Sequence, residues 1–281
     1  MVTDSTASLT PESILRHGIT VVPLQVVIGA ASYDEGVPEG VTPEMLAEAL
    51  KSWTPVSTSR PNPEEMLATY ENLAAEGVEE IVAVHLSGEL SGTFESAQLA
   101  ARRSSVPVTL VDSRQVGMGT GYAVLAAAEA VEAGADADAA GDAARLRAAA
   151  TRSLFYVDTL EHLRRGGRVG AIGALVGSAL AVKPILAVED GRVGPLERVR
   201  TSAKALSRLE DLAVEAAGSS SVDVAVSHLA SVHRGEQLAS RLQERLAVGL
   251  EGRTVELGEI GAVLGAHVGP GMVAVVVAPR L

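Results

Sequence analysis

Glu80-Ile81-Val82-Ala83-Val84-His85 decides the fold of this 281-residue chain. The near-continuous apolar run 81–84 predicts a strand with both faces covered, which is the habit of parallel sheets wrapped by helices rather than of half-solvated antiparallel ones. Working outward, β-rich apolar runs at 19–28, 107–112, 154–157, 184–188, 222–227 and 272–278 read as further strands. Between them lie amphipathic helical patterns at about 43–52, 63–76, 92–103, 119–133, 137–150, 202–217, 235–248 and 260–266. Alternation of this kind is the signature of an α/β protein.

In an open parallel sheet ligands sit beyond the carboxyl ends of the strands, where loops lead into helices. The segment 87–91 follows the strand ending at His85, and 113–121 follows the one ending at Asp112. Ser91-Gly92-Thr93-Phe94-Glu95-Ser96-Ala97 and Thr58-Ser59-Arg60-Pro61-Asn62-Pro63 each place hydroxyls and backbone N–H groups just before an amphipathic run. Neutral donors backed by the positive end of a helix dipole suit a carboxylate or phosphate oxygen and need no metal. Ordinary capping accounts for Asn62-Pro63-Glu64-Glu65, with Pro at N1 and Glu at N3. It does not account for Thr58-Ser59 lying before the cap.

Other chemistries find little support. Gly117, Gly119 and Gly121 fall one position short of G-x-G-x-x-G, and no G-x-x-x-x-G-K-[ST] occurs. His17, His85, His162, His228, His233 and His267 form no H-E-x-x-H or comparable ligand spacing, so no metal site is expected. No G-x-S-x-G elbow and no cysteine are present, which removes the usual acyl-hydrolase and thiolate nucleophiles and leaves no catalytic residue to name. Aromatics are 2% of the chain, so stacking on bases is an unpromising mode of action. The net charge of −12 likewise argues against a nucleic-acid partner.

That charge is unevenly spread. Residues 1–150 carry 8 basic and 21 acidic side chains, whereas 151–281 carry 15 and 14. The composition shift sets an expected boundary, with an N-terminal α/β domain over 1–150 and a C-terminal α/β domain over 151–281. Within the second half, 164–204 holds eight basic residues against three acidic ones. Arg164, Arg165, Arg168, Arg198 and Arg200 are therefore expected to form a docking face. The N-terminus has no basic region followed by an apolar run, and the apolar stretch 169–182 is shorter than a membrane span needs, so a cytoplasmic location is expected.

Asp4-Ser5-Thr6-Ala7, Thr58-Ser59-Arg60-Pro61, Ser91-Gly92-Thr93, Asp112-Ser113, Asp158-Thr159-Leu160, Gly166-Gly167-Arg168, Lys183-Pro184-Ile185-Leu186 and His267-Val268-Gly269-Pro270-Gly271 together resemble the DegV family of bacterial fatty-acid-binding proteins, from end to end. The resemblance implies a two-domain α/β fold with a long-chain fatty acid held between the domains and no cofactor. It implies a carboxylate at the loops of Thr58, Ser59, Ser91 and Gly92, completed by His267 and Gly269. It further implies a carrier without chemistry of its own, which presents the acid to a separate ATP-dependent fatty acid kinase for acyl-phosphate formation and phospholipid synthesis. The basic face would then meet that kinase subunit or, transiently, an anionic membrane. Where the family usually has Thr-Ser-Gln-Pro-Ser, this chain reads Thr58-Ser59-Arg60-Pro61-Asn62, which sets a fixed cation beside the head-group loop. The same architecture resembles dihydroxyacetone-kinase-type phosphotransfer enzymes, the alternative reading, but no cluster of metal-binding aspartates is evident.

A fatty acid demands an apolar tunnel. Each buried CH₂ contributes about 0.8 kcal/mol, so a tail of about 14 to 18 carbons gains on the order of 10 kcal/mol before ordering costs. Gly170, Gly173 and Gly177 recur at helical spacing, offering a smooth face for the tail or for close helix packing.

Overall fold

The computed structural model describes residues 1–168 and 183–280. The small-residue face of Gly170, Gly173 and Gly177 lies outside the described residues. In chain order the first elements are β1 (Val2–Asp4), α1 (Pro11–Arg16), β2 (Thr20–Val22), β3 (Gln25–Ile28), β4 (Ala31–Asp34), α2 (Pro43–Lys51), β5 (Val56–Ser59) and α3 (Pro63–Ala75). There follow β6 (Ile81–His85), α4 (Thr93–Ala101), β7 (Val108–Asp112), α5 (Met118–Glu132), α6 (Ala137–Ala150), β8 (Arg152–Tyr156) and α7 (Glu161–Arg165). The remainder comprises β9 (Lys183–Glu189), β10 (Arg192–Val199), α8 (Ser202–Ala217), β11 (Val222–His228), α9 (Val232–Arg245), α10 (Ala247–Leu250), β12 (Glu256–Glu259), α11 (Ala262–Val268) and β13 (Val273–Pro279).

The apolar run at 81–84 is the middle of an all-parallel sheet in the order β2-β1-β6-β7. Its alternation supplies both faces. Val82 and Val84 pack with Ala123, Val124 and Ala127 of α5 and Ala140 and Ala144 of α6. Ile81 and Ala83 pack on the other side with Met66 and Tyr70 of α3 and Ala97 and Ala100 of α4. Two glycines within α5 let neighbouring segments approach the helix closely. A Cβ at Gly121 would stand 2.5 Å from the Ala7 carbonyl oxygen, and one at Gly119 2.7 Å from Ser153 Oγ.

A second sheet runs in the order β10-β9-β8-β13-β11-β12 and is antiparallel except between β11 and β12. Val273, Val275 and Val277 pack beneath Leu209 of α8 and Leu242 of α9. The opposite face of this sheet, with Phe155, Leu186, Val188 and Val193, packs with Leu24, Val26 and Leu46 from the first half and with Val263 of α11. A three-stranded antiparallel sheet, β4-β3-β5, contributes to that same core. A buried ion pair between Arg147 of α6 and Asp223 of β11 ties residues of the two sequence halves together elsewhere.

Most helices fall within a residue or two of their expected bounds, while several strands differ. The run 19–28 is two strands, because Pro23 interrupts it and has no N–H for a ladder. Thr58 and Ser59, expected in a loop, end β5, with Thr58 opposite Val26 and Ser59 opposite Gln25.

Candidate functional site

Between the face of the second sheet turned away from α8 and α9, β5, α11 and the loops after β6 and β7 lies a cavity of about 420 Å³. That volume falls within the usual range for small-ligand sites. Its walls follow from strand periodicity. Ala274 and Val276 of β13 turn toward it while their neighbours turn toward the helices, and Phe155 and Val188 close the same side. Leu86 and Leu90 come from the loop after β6, Val116 and Gly117 from the loop after β7, and Met118 from the start of α5. The carboxyl ends of the parallel strands thus reach the cavity as the sheet rule requires.

Thr58, Ser59, Arg60, Ser91, Gly92, Arg168 and His267 form its polar rim. They are linked by contacts rather than merely close in sequence. Thr58 Oγ1 lies 2.9 Å from His267 Nε2, although the residues stand 209 apart in the chain. A Cβ on Gly166 would come within 2.3 Å of His267 Nδ1, so the chain before Arg168 is pressed against the imidazole. Arg168 then donates Nε–H to the Leu90 carbonyl at 3.1 Å, which carries the rim to Ser91. Ser91 Oγ sits 2.9 Å from Thr93 Oγ1 and accepts the Thr93 N–H at 3.3 Å, so it caps α4 as well as facing the cavity. Arg60 Nη1 donates to the Gly92 carbonyl at 3.0 Å and pairs with Glu95 at 2.7 Å. The unusual cation therefore spans the mouth with its charge matched by Glu95.

Burial first, and the charge of Arg168 second, push the His267 imidazole down to about 4. It is neutral at pH 7, with Nδ1 buried and without a partner among the described residues. When the ring proton sits on Nε2, it donates to Thr58 and leaves the Thr58 hydroxyl proton for an anion in the cavity. Position depends on α11, whose first turn is held by Glu35: the carboxylate is buried and accepts the Val263 N–H at 2.8 Å. No sequence signal connects residue 35 with residue 263.

Gly269 does not line the cavity. It follows α11 at φ +77°, and a Cβ there would meet His162 Cδ2 at 2.1 Å, so glycine is needed for a turn and a close approach. Arg168, expected on a docking face, also lines the cavity. Arg164 and Arg165 stand on α7 and both bind Glu161, at 2.9 and 2.7 Å. Arg198 and Arg200 are exposed at the end of β10 and just beyond it, and neither forms an ion pair with another described residue. Sequence reading missed the outer neighbours of the rim, Trp53 and His162, because tertiary contact alone brings them there. Among the described residues no cluster of three or more potential metal ligands occurs, and no helix is long and apolar enough to cross a membrane.

Comparison with known proteins places the whole chain among similar sequences and folds. A family model described as "Uncharacterised protein, DegV family" matches residues 1–280. The DegV domain-containing protein SCO2569 of Streptomyces coelicolor is 52% identical over 280 residues, covering 100% of this chain and 98% of its own. A solved DegV family protein from Thermus thermophilus, described by its fatty acid binding, superposes with a TM-score of 0.89 at 31% identity, over 99% of this chain and 98% of the other. DegV of Bacillus subtilis, described as a fatty acid binding protein, gives the same TM-score, identity and coverage.

Proposed function

Because this chain belongs to the DegV family, we propose that it is a cytoplasmic carrier that binds a long-chain fatty acid, tail in the apolar cavity and carboxylate at the rim. The observation that carries the reading is a cavity whose walls are mostly apolar and at whose mouth Thr58, His267, Arg168, Ser91 and Gly92 gather as a polar rim. A buried carboxylate without hydrogen bonds costs several kcal/mol, and the Thr58 and Ser91 hydroxyls with the amides of Ser59 and Gly92 meet that need. Residues 1–150 and 151–281 act as the two units that enclose the tail, and Gly269 shapes the turn that places His267. The protein carries no chemistry of its own. It presents the acid to a separate ATP-dependent fatty acid kinase, and Arg164, Arg165, Arg198 and Arg200 guide that subunit or an anionic membrane onto it, with Arg168 linking the face to the rim.

Organic extraction and mass spectrometry of the recombinant protein test the binding reading directly. A fatty acid of about 14 to 18 carbons near one equivalent is expected, matching the tail length whose burial gives useful affinity. Lipid-free protein that also fails to bind palmitate or oleate by calorimetry overturns it.

A further inference from the structure

On the far side of the Thr58–His267 pair lies a second pocket of about 410 Å³, which shares Thr58, Arg168 and His267 with the inner cavity. We propose that this outer pocket, between Trp53, His162, Arg165 and Arg168, is a binding site for a phosphate monoester group. In a chain of net charge −12, no Asp or Glu among the described residues lines it. Arg165 and Arg164 share the single carboxylate of Glu161, leaving a surplus positive charge at the rim of the pocket. Arg168 spends its hydrogen bonds on the carbonyls of Leu90 and Gly166 and meets no carboxylate among the described residues. Two guanidinium groups, one at the end of α7 and one three residues beyond it, line one concavity and match a dianion better than a monovalent carboxylate. The surroundings report the same field: Arg165 helps to lower the pKa of His162, after burial, as Arg168 does for His267.

Trp53 supplies an independent observation. It is 70% exposed and holds φ +59° just past the end of α2, a left-handed position that glycine normally occupies. Its ring lies 5.0 Å beneath the Arg165 guanidinium, which orients the cation over the pocket. A bulky residue kept in such a conformation at the surface marks a functional constraint. Trp53, His162 and Arg165 line the outer pocket and not the inner cavity, so variants of these residues test the outer site separately from fatty-acid binding.

Trp53 is the chain's one tryptophan, so its emission reports on this pocket alone. Lipid-stripped protein is titrated with inorganic phosphate at ionic strength held constant with sodium chloride. A saturable change in Trp53 emission is expected, with a midpoint about tenfold higher in Arg165→Gln and unchanged in His233→Gln, since His233 is exposed on α9 beside Gln237 and does not line the pocket. Thermal melts of each variant confirm the fold, and calorimetry with palmitate on the same samples separates this site from the inner one. Phosphatidylcholine vesicles with and without phosphatidic acid form the second arm. A blue shift that requires phosphatidic acid and is reversed by inorganic phosphate assigns a lipid headgroup. A response to inorganic phosphate alone assigns a soluble phosphate monoester. No response beyond the chloride control in either arm, or an Arg165→Gln curve that overlays the parent, overturns the proposal.

Discussion

Along β13, Val273, Val275 and Val277 face α8 and α9 while Ala274 and Val276 face the cavity, so the apolar wall follows from strand periodicity. The rim is made differently, from the end of β5, the start of α4, the end of α11 and the segment after α7. Periodic residues are held by many neighbours and tolerate small changes of shape. Rim residues depend on single hydrogen bonds such as the 2.9 Å contact of Thr58 with His267. The wall should therefore set affinity, and the rim orientation and pH response.

Obstructing the wall gives the largest expected effect. Ala274→Phe places a ring in the tail space, and loss of three or four buried methylenes costs about 3 kcal/mol, on the order of a hundredfold in affinity for stearate. A shorter acid such as laurate should lose less. Calorimetry across a chain-length series checks this, and equal losses at every length would mean that Ala274 does not face the tail.

The rim comes next. Thr58→Ala with Ser91→Ala should weaken palmitate binding by about 2 kcal/mol, since the two losses at one head group do not add, without unfolding the protein. Thr58→Ala alone should account for more than Ser91→Ala, because it also deprives His267 of its partner whereas Ser91 is engaged by Thr93. Unchanged calorimetric affinity in the double variant removes these hydroxyls from the site.

Both residues were legible as hydroxyls beside a helix start, and the covered parallel sheet was legible in residues 81–84. Their partners were not. Val56-Ser57-Thr58-Ser59 is too short and polar to announce a strand, and it pairs with Val26 and Gln25 through a sheet whose turns carry no strong signal. His267 stood out only as a turn residue before the last strand, since its contact with Thr58 spans 209 residues. Arg168 looked like one more surface charge, because exposure is decided by tertiary placement.

A smaller effect concerns acid stability. The folded-state pKa of His267 is near 4, below its ordinary 6.5, so the unfolded chain binds more protons between those values. The contribution of this group to stability is complete above about pH 6.5, declines as pH falls through the window and is gone near pH 4. Urea midpoints measured across that range should fall less steeply in His267→Gln than in the parent. Parallel slopes would show that the imidazole is not held neutral by burial.

The smallest effect lies outside wall and rim. Arg165→Glu with Arg200→Glu should slow association with anionic vesicles a fewfold at low salt, with the difference fading as ionic strength rises, because screening acts over about 8–10 Å near physiological salt. Stopped-flow rates that match the parent at every salt concentration would detach the basic residues from docking.

The grip of Glu35 on Val263 and of Thr58 on His267 has a consequence for building hybrids within the family. The segment 24–59 holds α11 at both ends, once by a buried carboxylate and once by a hydroxyl. A chimera that imports either piece without the other inherits mismatched anchors and a misplaced imidazole. The smallest interchangeable cassette is therefore discontinuous in sequence, the early hairpin together with the penultimate helix-turn, and recombination at any single crossover between them divides it.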